Sequence, residues 1–260
     1  MDFVSCRLMG GLGNYMFQIS TAYSLSLRDN KDLICDYSDN MVPHKPYKNY
    51  INNIFRKIKF SNSVGDYTPY REKGFNYSEI PKIEGNVKIF GYYQSEKYFK
   101  NFRNEILDLF EIDEKTNDKL HENYSELINH NNTCSIHVRR GDYVRLSDYH
   151  KVQDIQYFIN SYNEMGEDKK YLIFSDDPQW CKENFDFIKD KVFIEGNNDY
   201  EDLYLMSLCK NNITCNSTFS WWGAWLNKNN GKTIIPSQWF GHRNSHLNSQ
   251  DLYCENWIKI

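Results

Sequence analysis

Thr133-Cys134-Ser135-Ile136-His137-Val138-Arg139-Arg140-Gly141-Asp142-Tyr143 is the stretch that decides the fold. A β-prone run ends abruptly in two arginines on a glycine turn. From here to the C-terminus such short runs alternate with amphipathic segments. Strands are expected at 133–138, 171–174, 192–194, 212–215 and 233–235, and helices at about 153–165, 178–186, 200–210 and 219–228. Short β-rich runs separated by helices predict βαβ units and a parallel sheet.

The N-terminal half opens the same way. An apolar run from Phe3 to Met9 ends at Gly10-Gly11-Leu12-Gly13-Asn14, and Phe17, Ala22, Tyr23, Leu25 and Leu27 predict a helix after it. The glycines do not follow the G-x-G-x-x-G spacing of a dinucleotide fingerprint. A turn that lets a ligand approach the backbone and a tight turn without a ligand both fit them. A further strand is expected at 87–93, and helices at 95–110 and 114–129. Residues 40–86 carry Pro43, Pro46, Pro69 and Pro81 without a clear period, and read as loops and short elements of an acceptor-facing region. The expected architecture is α/β: two Rossmann-like parallel-sheet domains, 1–130 and 131–260, facing a cleft, with the boundary near Asn129-His130-Asn131-Asn132.

Composition excludes several classes. Lys+Arg number 31 against Asp+Glu 35, for a net charge of −4, and no polybasic block occurs, which argues against nucleic acid as a partner. No apolar run approaches the roughly 18 residues that span a bilayer, so no stable membrane insertion is expected. The start, Met1 to Met9, has neither a basic region nor a long apolar one, so no signal peptide is expected. The five N-x-S/T triplets then read as chance products of an Asn-rich chain. Seven cysteines without a C-x-x-C fit free thiols better than a disulfide framework or a zinc site. The expected location is cytoplasmic, which is compatible with a peripheral position at the inner membrane face. Aromatic residues reach 16%, a level that both sugar sites and genomic base bias produce.

Three constellations sit where a strand meets a helix, the place at which open α/β sheets bind ligands. His137 to Tyr143 offers adjacent arginines, always charged and suited to a diphosphate. Two surface arginines, one bridged to Asp142, are the plainer alternative. Ser175-Asp176-Asp177-Pro178 offers a carboxylate for a guanine edge or a ribose hydroxyl. Asp177 before Pro178 also reads as a helix N-cap, which leaves Asp176 as the better ligand. Asn216-Ser217-Thr218-Phe219-Ser220 places three hydroxyls at a helix start, where phosphate oxygens are bound. The tryptophans that follow, Trp221, Trp222 and Trp225, fit core packing better than sugar platforms. The sequence has no Asp-x-Asp to hold a nucleotide-sugar metal, no P-loop and no G-x-S-x-G. His242 and His246 lack the glutamate of a zincin helix and read as surface residues.

Gly10–Gln18 (GGLGNYMFQ), His137–Tyr143 (HVRRGDY), Ser175-Asp176-Asp177 and Ser217–Leu226 (STFSWWGAWL) occur in that order. In these motifs the chain resembles the α-1,2-fucosyltransferases, the inverting family that includes bacterial O-antigen enzymes and the blood-group H enzymes. The resemblance spans residue 8 to about 240. It implies a GT-B-like fold in which 1–130 is the acceptor-side domain and 131–260 binds the donor substrate, GDP-β-L-fucose, with no metal and no cofactor. It also implies a galactose-containing oligosaccharide or lipid-linked glycan as acceptor, fucosylated at the 2-hydroxyl of a terminal β-galactose. The membrane anchor of the animal members is not seen, as expected of a bacterial form. One departure is Tyr15, where the family usually has glutamine, a change expected on the acceptor side.

By the same resemblance Arg139 stabilises charge on the departing diphosphate, and Arg140 supports it or contacts the phosphate directly. Ser217, Thr218 and Ser220 hold phosphate oxygens, and His137 and Asp176 contact the guanosine. Gly11, Gly13 and Asn14 lie under the sugar and diphosphate. Inversion needs the acceptor hydroxyl to lose a proton, usually to a cleft carboxylate, and Asp142, three residues after Arg139, is the candidate base. A salt bridge from Asp142 to an arginine, with a dissociative route needing little base help, is the other reading. A fucosyltransferase of different linkage and a non-catalytic glycan- or nucleotide-binding protein on the same fold remain the alternatives.

Overall fold

The computed structural model describes residues 1–36 and 49–260. Pro43 and Pro46 of the expected loop region lie outside the described residues. The chain divides into two compact units. Met1–Asp113 with Asn248–Cys254 forms the first, and Glu114–Leu247 with Glu255–Ile260 the second.

The first unit is built on a parallel sheet of β1 (Phe3–Cys6), β2 (Asp32–Leu33), β5 (Thr68–Arg71) and β6 (Val87–Phe90), in the order β2-β1-β6-β5. A small parallel pair, β3 (Cys35–Asp36) and β4 (Phe60–Ser61), accompanies it. Helix α1 (Leu12–Asp29) crosses from β1 to β2 and ends in a left-handed cap at Asn30. Met16, Phe17, Ile19 and Ala22 of α1 are fully buried. The helix expected at 95–110 is two 3₁₀ turns followed by α2 (Arg103–Leu109). The described part of 40–86, read as loops and short elements, holds the short strands β4 and β5.

The second unit holds six parallel strands: β7 (Thr133–Val138), β8 (Lys170–Ser175), β9 (Lys191–Ile194), β10 (Asn211–Ile213), β11 (Thr233–Ile235) and β12 (Ile258–Lys259). Their spatial order is β9-β8-β7-β10-β11-β12. This is the doubly wound Rossmann order, and it reverses between β7 and β10. Its helices are α3 (Glu114–Ile128), α4 (Gly141–Arg145), α5 (Ile155–Met165), α6 (Pro178–Asn184), α7 (Asp199–Leu208) and α8 (Thr218–Trp225). Every residue of β7 is buried, as a central strand covered on both faces requires. On one face Ile136, Val138 and Ile173 pack with Phe158 and Tyr162 of α5 and with Cys181 of α6.

The boundary expected near 129–132 is not where the units part. Helix α3 belongs to the second unit because its side chains bind there. Lys119 Nζ meets Glu201 Oε1 at 2.7 Å, Tyr124 donates to Asn197, and Leu120 is fully buried. Residues 248–254 return to the first unit. Asp251 takes Lys97 Nζ at 2.6 Å and the backbone N–H of Tyr77 at 2.9 Å.

All seven cysteines are free and buried, as their spacing predicts. Among the described residues, no helix is long and apolar enough to cross a membrane.

Candidate active site

The switch point between β7 and β10 brings together the arginine motif and the hydroxyl motif. Nδ1 of His137, near the end of β7, lies 3.2 Å from Sγ of Cys215, just past β10. The imidazole is 6% exposed and its ring lies 5.3 Å from that of Phe219. Burial, with help from the Arg139 charge, lowers its pKa to about 3, so it is neutral. Burial likewise pushes the Cys215 thiol up to about 12. His137, expected at the guanosine, is therefore a buried neutral group engaged with Cys215.

Arg139 begins the loop beyond β7. Its Nη2 is 2.7 Å from Oδ1 of Asp142 and its Nη1 is 3.0 Å from Oδ2 of Asp176. Its side chain stays 36% exposed and lies over the Tyr143 ring. Burial disfavours its charge, but the two carboxylates more than offset this and hold its pKa above the ordinary value. Arg140 is tied down elsewhere. Its Nε is 3.1 Å from Oδ2 of Asp177, and its guanidinium stacks 4.0 Å over the Trp180 ring.

Asp176 does not present a free carboxylate to a base edge. Its second oxygen accepts the backbone N–H of Arg140 at 2.8 Å. Gly141 makes this approach possible, since a Cβ there would stand 2.7 Å from Oδ2 of Asp176. Asp177 caps α6, accepting the N–H of Trp180 at 3.2 Å with Pro178 at the first helical position. Asp142, expected as the base, is ion-paired with Arg139.

Ser217 caps α8, accepting the N–H of Phe219 at 3.3 Å. Thr218 is half-buried at the first helical position. Ser220 does not join them. It is 2% exposed, accepts from the Cys215 N–H and donates to the Ser217 carbonyl, so its hydroxyl is used inside the fold. Trp221, Trp222 and Trp225 are buried and packed on one another and on Trp257.

Three residues of this region carry no expectation above. Tyr143 donates to the Asn216 carbonyl at 3.0 Å and stacks on His150 with ring centroids 4.5 Å apart. The Asn216 side chain donates to the carbonyls of Lys151 and Trp239, which ties two loops to the end of β10. Trp180 seats Arg140. Tyr143 and Asn216 stood inside the quoted motifs, and Trp180 follows Asp177 by one helical turn. Only the folded chain shows what each touches.

In the first unit, Gly11 caps α1 and Gly13 is buried within it. Gly10 has φ +86, and a Cβ there would overlap the Asn14 side chain. Space beside Gly11 is open. Oδ1 of Asn14 accepts from Gln94 Nε2 at 2.7 Å. Tyr15 is 1% exposed, and burial raises its pKa. The residue that departs from the family pattern is thus a core side chain. Gln18 holds both the N–H and the carbonyl of Met9, at 2.9 and 3.1 Å.

Two parallel-sheet α/β units, one in Rossmann order with paired arginines at its switch point, define a GT-B-like glycosyltransferase. The chain belongs to glycosyl transferase family 11, whose profile matches residues 3–260. It is similar to an alpha-1,2-colitosyltransferase of Escherichia coli, 33% identical over 100% of this chain and 99% of that protein. It is also similar to the O-antigen biosynthesis glycosyltransferase WbnK of Escherichia coli, 30% identical over 98% and 99%. The galactoside alpha-(1,2)-fucosyltransferase 2 of Oryctolagus cuniculus is 25% identical over 84% of this chain and 65% of its own length. Among solved structures, NodZ alpha-1,6-fucosyltransferase soaked with GDP-fucose aligns with a TM-score of 0.60 at 13% identity. The alignment covers 86% of this chain and 92% of that one, a likeness of fold.

Proposed function

We propose that this chain transfers L-fucose from GDP-β-L-fucose to the 2-hydroxyl of a terminal β-galactose, with inversion. The observation that carries the reading is Arg139, held between Asp176 and Asp142 at the switch point of a Rossmann-ordered sheet. Negative charge grows on GDP as the anomeric bond breaks, and a guanidinium already fixed in place stabilises that growth without reorganising. Two guanidinium groups here face three carboxylates, so the cluster is not an excess of positive charge. It is a positioned donor, and the Thr218 N–H with the hydroxyls of Ser217 and Thr218 at the start of α8 completes the anion site, the Ser217 N–H being taken by the Cys215 carbonyl at 2.8 Å. In this reading the second unit binds the donor, and Asp142 orients Arg139. The acceptor proton leaves late, along a dissociative route with little base help.

The metal site of Asp-x-Asp glycosyltransferases is missing from the sequence, and the reaction is proposed to run without metal. The name of the O-antigen biosynthesis relative supports an acceptor in O-antigen or a related glycan, and the chain is proposed to meet it in the cytoplasm at the inner membrane face. The colitosyltransferase relative favours a second reading of the donor. Colitose is fucose lacking the 3-hydroxyl, and the same site could take it.

Turnover of GDP-fucose and of GDP-linked colitose is measured against a panel of β-galactosides, with product linkage assigned by NMR. An α-1,2-fucosylated galactoside is the expected product. Colitose transfer alone replaces the donor, another linkage replaces the acceptor position, and nucleotide binding without transfer of either sugar removes the enzymatic reading.

A further inference from the structure

The first unit has a switch point of its own. In the order β2-β1-β6-β5 the chain leaves β1 toward β2 on one side while β6 flanks β1 on the other, so the crevice lies beyond the carboxyl ends of β1 and β6. Two carboxamides meet there. Gln94, just after β6, donates from Nε2 to Oδ1 of Asn14, in the first turn of α1. That bond leaves the Nδ2 donor of Asn14 and the Oε1 acceptor of Gln94, and neither has a partner among the described residues. Both side chains are half-buried.

The turn that carries Gln94 is held in a costly shape. Glu72 accepts the successive N–H groups of Tyr92 and Tyr93 at 2.7 and 2.9 Å. Tyr93 takes a left-handed φ of 52°, which is unfavourable for an aromatic residue. Gly91 lies so close to Glu72 that a Cβ would overlap it. The Tyr93 ring is fully buried, edge-on to Tyr98 at 5.2 Å, whereas Tyr92 stands 42% exposed. One carboxylate therefore fixes an aromatic ring outward, the next inward, and a carboxamide across the crevice.

We infer that this turn is a pyranose subsite for the acceptor, with Tyr92 offering its ring to the C–H face of the sugar and Asn14 and Gln94 offering a donor and an acceptor to its hydroxyls. An exposed aromatic beside a few placed polar groups is the usual make-up of a site for a neutral ring compound. Arg7, just past β1, and Arg71, ending β5, stand at the same strand ends, but the charge of the turn itself argues for the acceptor over the nucleotide sugar. The turn holds a carboxylate and two neutral amides, which repel or ignore a diphosphate. Asn14 thereby moves from the donor to the acceptor. The acceptor assignment rests on the transferase reading, whereas sugar binding by the turn does not.

The test uses the full chain and three probes, the methyl β-glycosides of galactose, glucose and N-acetylglucosamine, observed by saturation-transfer NMR. GDP affinity is measured alongside by calorimetry. At least one glycoside should give a signal with the wild-type protein. That signal should fall about tenfold in Tyr92→Ala and Gln94→Ala, equivalent to about 1.4 kcal/mol, and survive in Tyr92→Phe. GDP affinity and melting temperature should stay put in all three, and in turnover the acceptor KM should rise in the two alanine variants with kcat little changed. No signal from any probe overturns the proposal, as does a signal untouched in Tyr92→Ala. Loss of GDP affinity in parallel assigns the turn to the donor instead. A glycoside signal that depends on Tyr92 in a protein that neither binds GDP nor turns it over keeps the subsite and removes the transferase reading.

Discussion

Oδ2 of Asp176 lies 3.0 Å from Nη1 of Arg139, and the other oxygen of the same carboxylate accepts the backbone N–H of the next residue, Arg140. One side chain at the end of β8 thus fixes both a guanidinium and the loop that bears it. Asp142 holds the other terminal nitrogen of Arg139. The arginine is oriented before any ligand arrives, the condition under which a donor costs no reorganisation in the transition state.

Replacing Asp176 separates these two tasks. Asp176→Asn keeps an oxygen for the Arg140 N–H but loses the charge opposite Arg139, so kcat should fall with little change in melting temperature. Asp176→Ala removes both and leaves a backbone donor unsatisfied, which should lower stability by a further 1–3 kcal/mol or about that range. Thermal melts and single-turnover rates on both variants check this. Full activity in Asp176→Ala would detach the carboxylate from the mechanism.

Gly141→Ala tests the same contact from the backbone side. The new Cβ would press on Oδ2 of Asp176 at 2.7 Å. The carboxylate must shift away from Arg139 or the loop must move, at a cost of about 1–3 kcal/mol as for other overpacked sites. GDP affinity should drop with stability. An unchanged affinity measured by calorimetry would mean that the loop adjusts freely and that the Asp176–Arg139 geometry does not matter for binding.

His137 predicts a pH dependence. Its folded pKa of about 3 lies below the ordinary 6.5. Between those values the unfolded chain binds the extra proton, so its contribution to stability is full above about pH 6.5 and declines as pH falls toward 3. One proton corresponds to about 1.4 kcal/mol per pH unit in that window. Urea unfolding at about pH 7, 6 and 5 should show a steeper loss for the wild type than for His137→Gln. Carboxylate effects are common to both proteins and cancel in the difference. Parallel curves would show that the imidazole does not titrate as a buried group.

How much of this was legible in the sequence follows burial. Strands β7 and β11 begin and end at the residues expected because each is a fully buried, β-prone run bounded on both sides by turn-forming or charged residues, Asn131-Asn132 and Arg139-Arg140-Gly141 for β7, Asn230-Gly231-Lys232 and Pro236 for β11. Strand β5 escaped because it is an edge strand, exposed along most of its length and carrying Pro69. Helix α4 was read as part of the loop because it has no buried residue and so no period. At the site, motif order picked out Arg139 and Asp176 but not that the aspartate serves the arginine. Ser217, Thr218 and Ser220 are equivalent as letters. The turn of α8 sends Ser220 inward to Cys215 and leaves the other two at its start.

Metal dependence is a separate expectation. If Arg139 and the start of α8 meet the charge on the leaving group as proposed, EDTA should leave turnover within about twofold and added Mn²⁺ should not raise it. A loss of more than about tenfold in EDTA, roughly 1.4 kcal/mol of barrier, restored by metal, would place a cation in the reaction.

Arg139 and Arg140 should respond differently, although the sequence sets them side by side. Arg139 stays partly exposed between two carboxylates, whereas Arg140 is stacked on Trp180 and paired with Asp177. Arg139→Ala should therefore cost on the order of 3–4 kcal/mol of transition-state stabilisation, as removal of one preorganised donor does elsewhere. Arg139→Lys keeps the charge but cannot span Asp142 and Asp176 with two nitrogens, so it should recover only part of that. Both changes should act mainly on kcat, because in the proposed reaction charge on GDP grows as the bond breaks, and should spare the melting temperature. Arg140→Ala should do the reverse, freeing Trp180 and Asp177 and lowering stability while turnover per folded molecule falls less. Measuring kcat and melting temperature on the three variants decides the matter. A folded Arg139→Ala protein with near-normal kcat would take Arg139 out of the chemistry, and an Arg140→Ala variant that is stable but inactive would hand that role to Arg140.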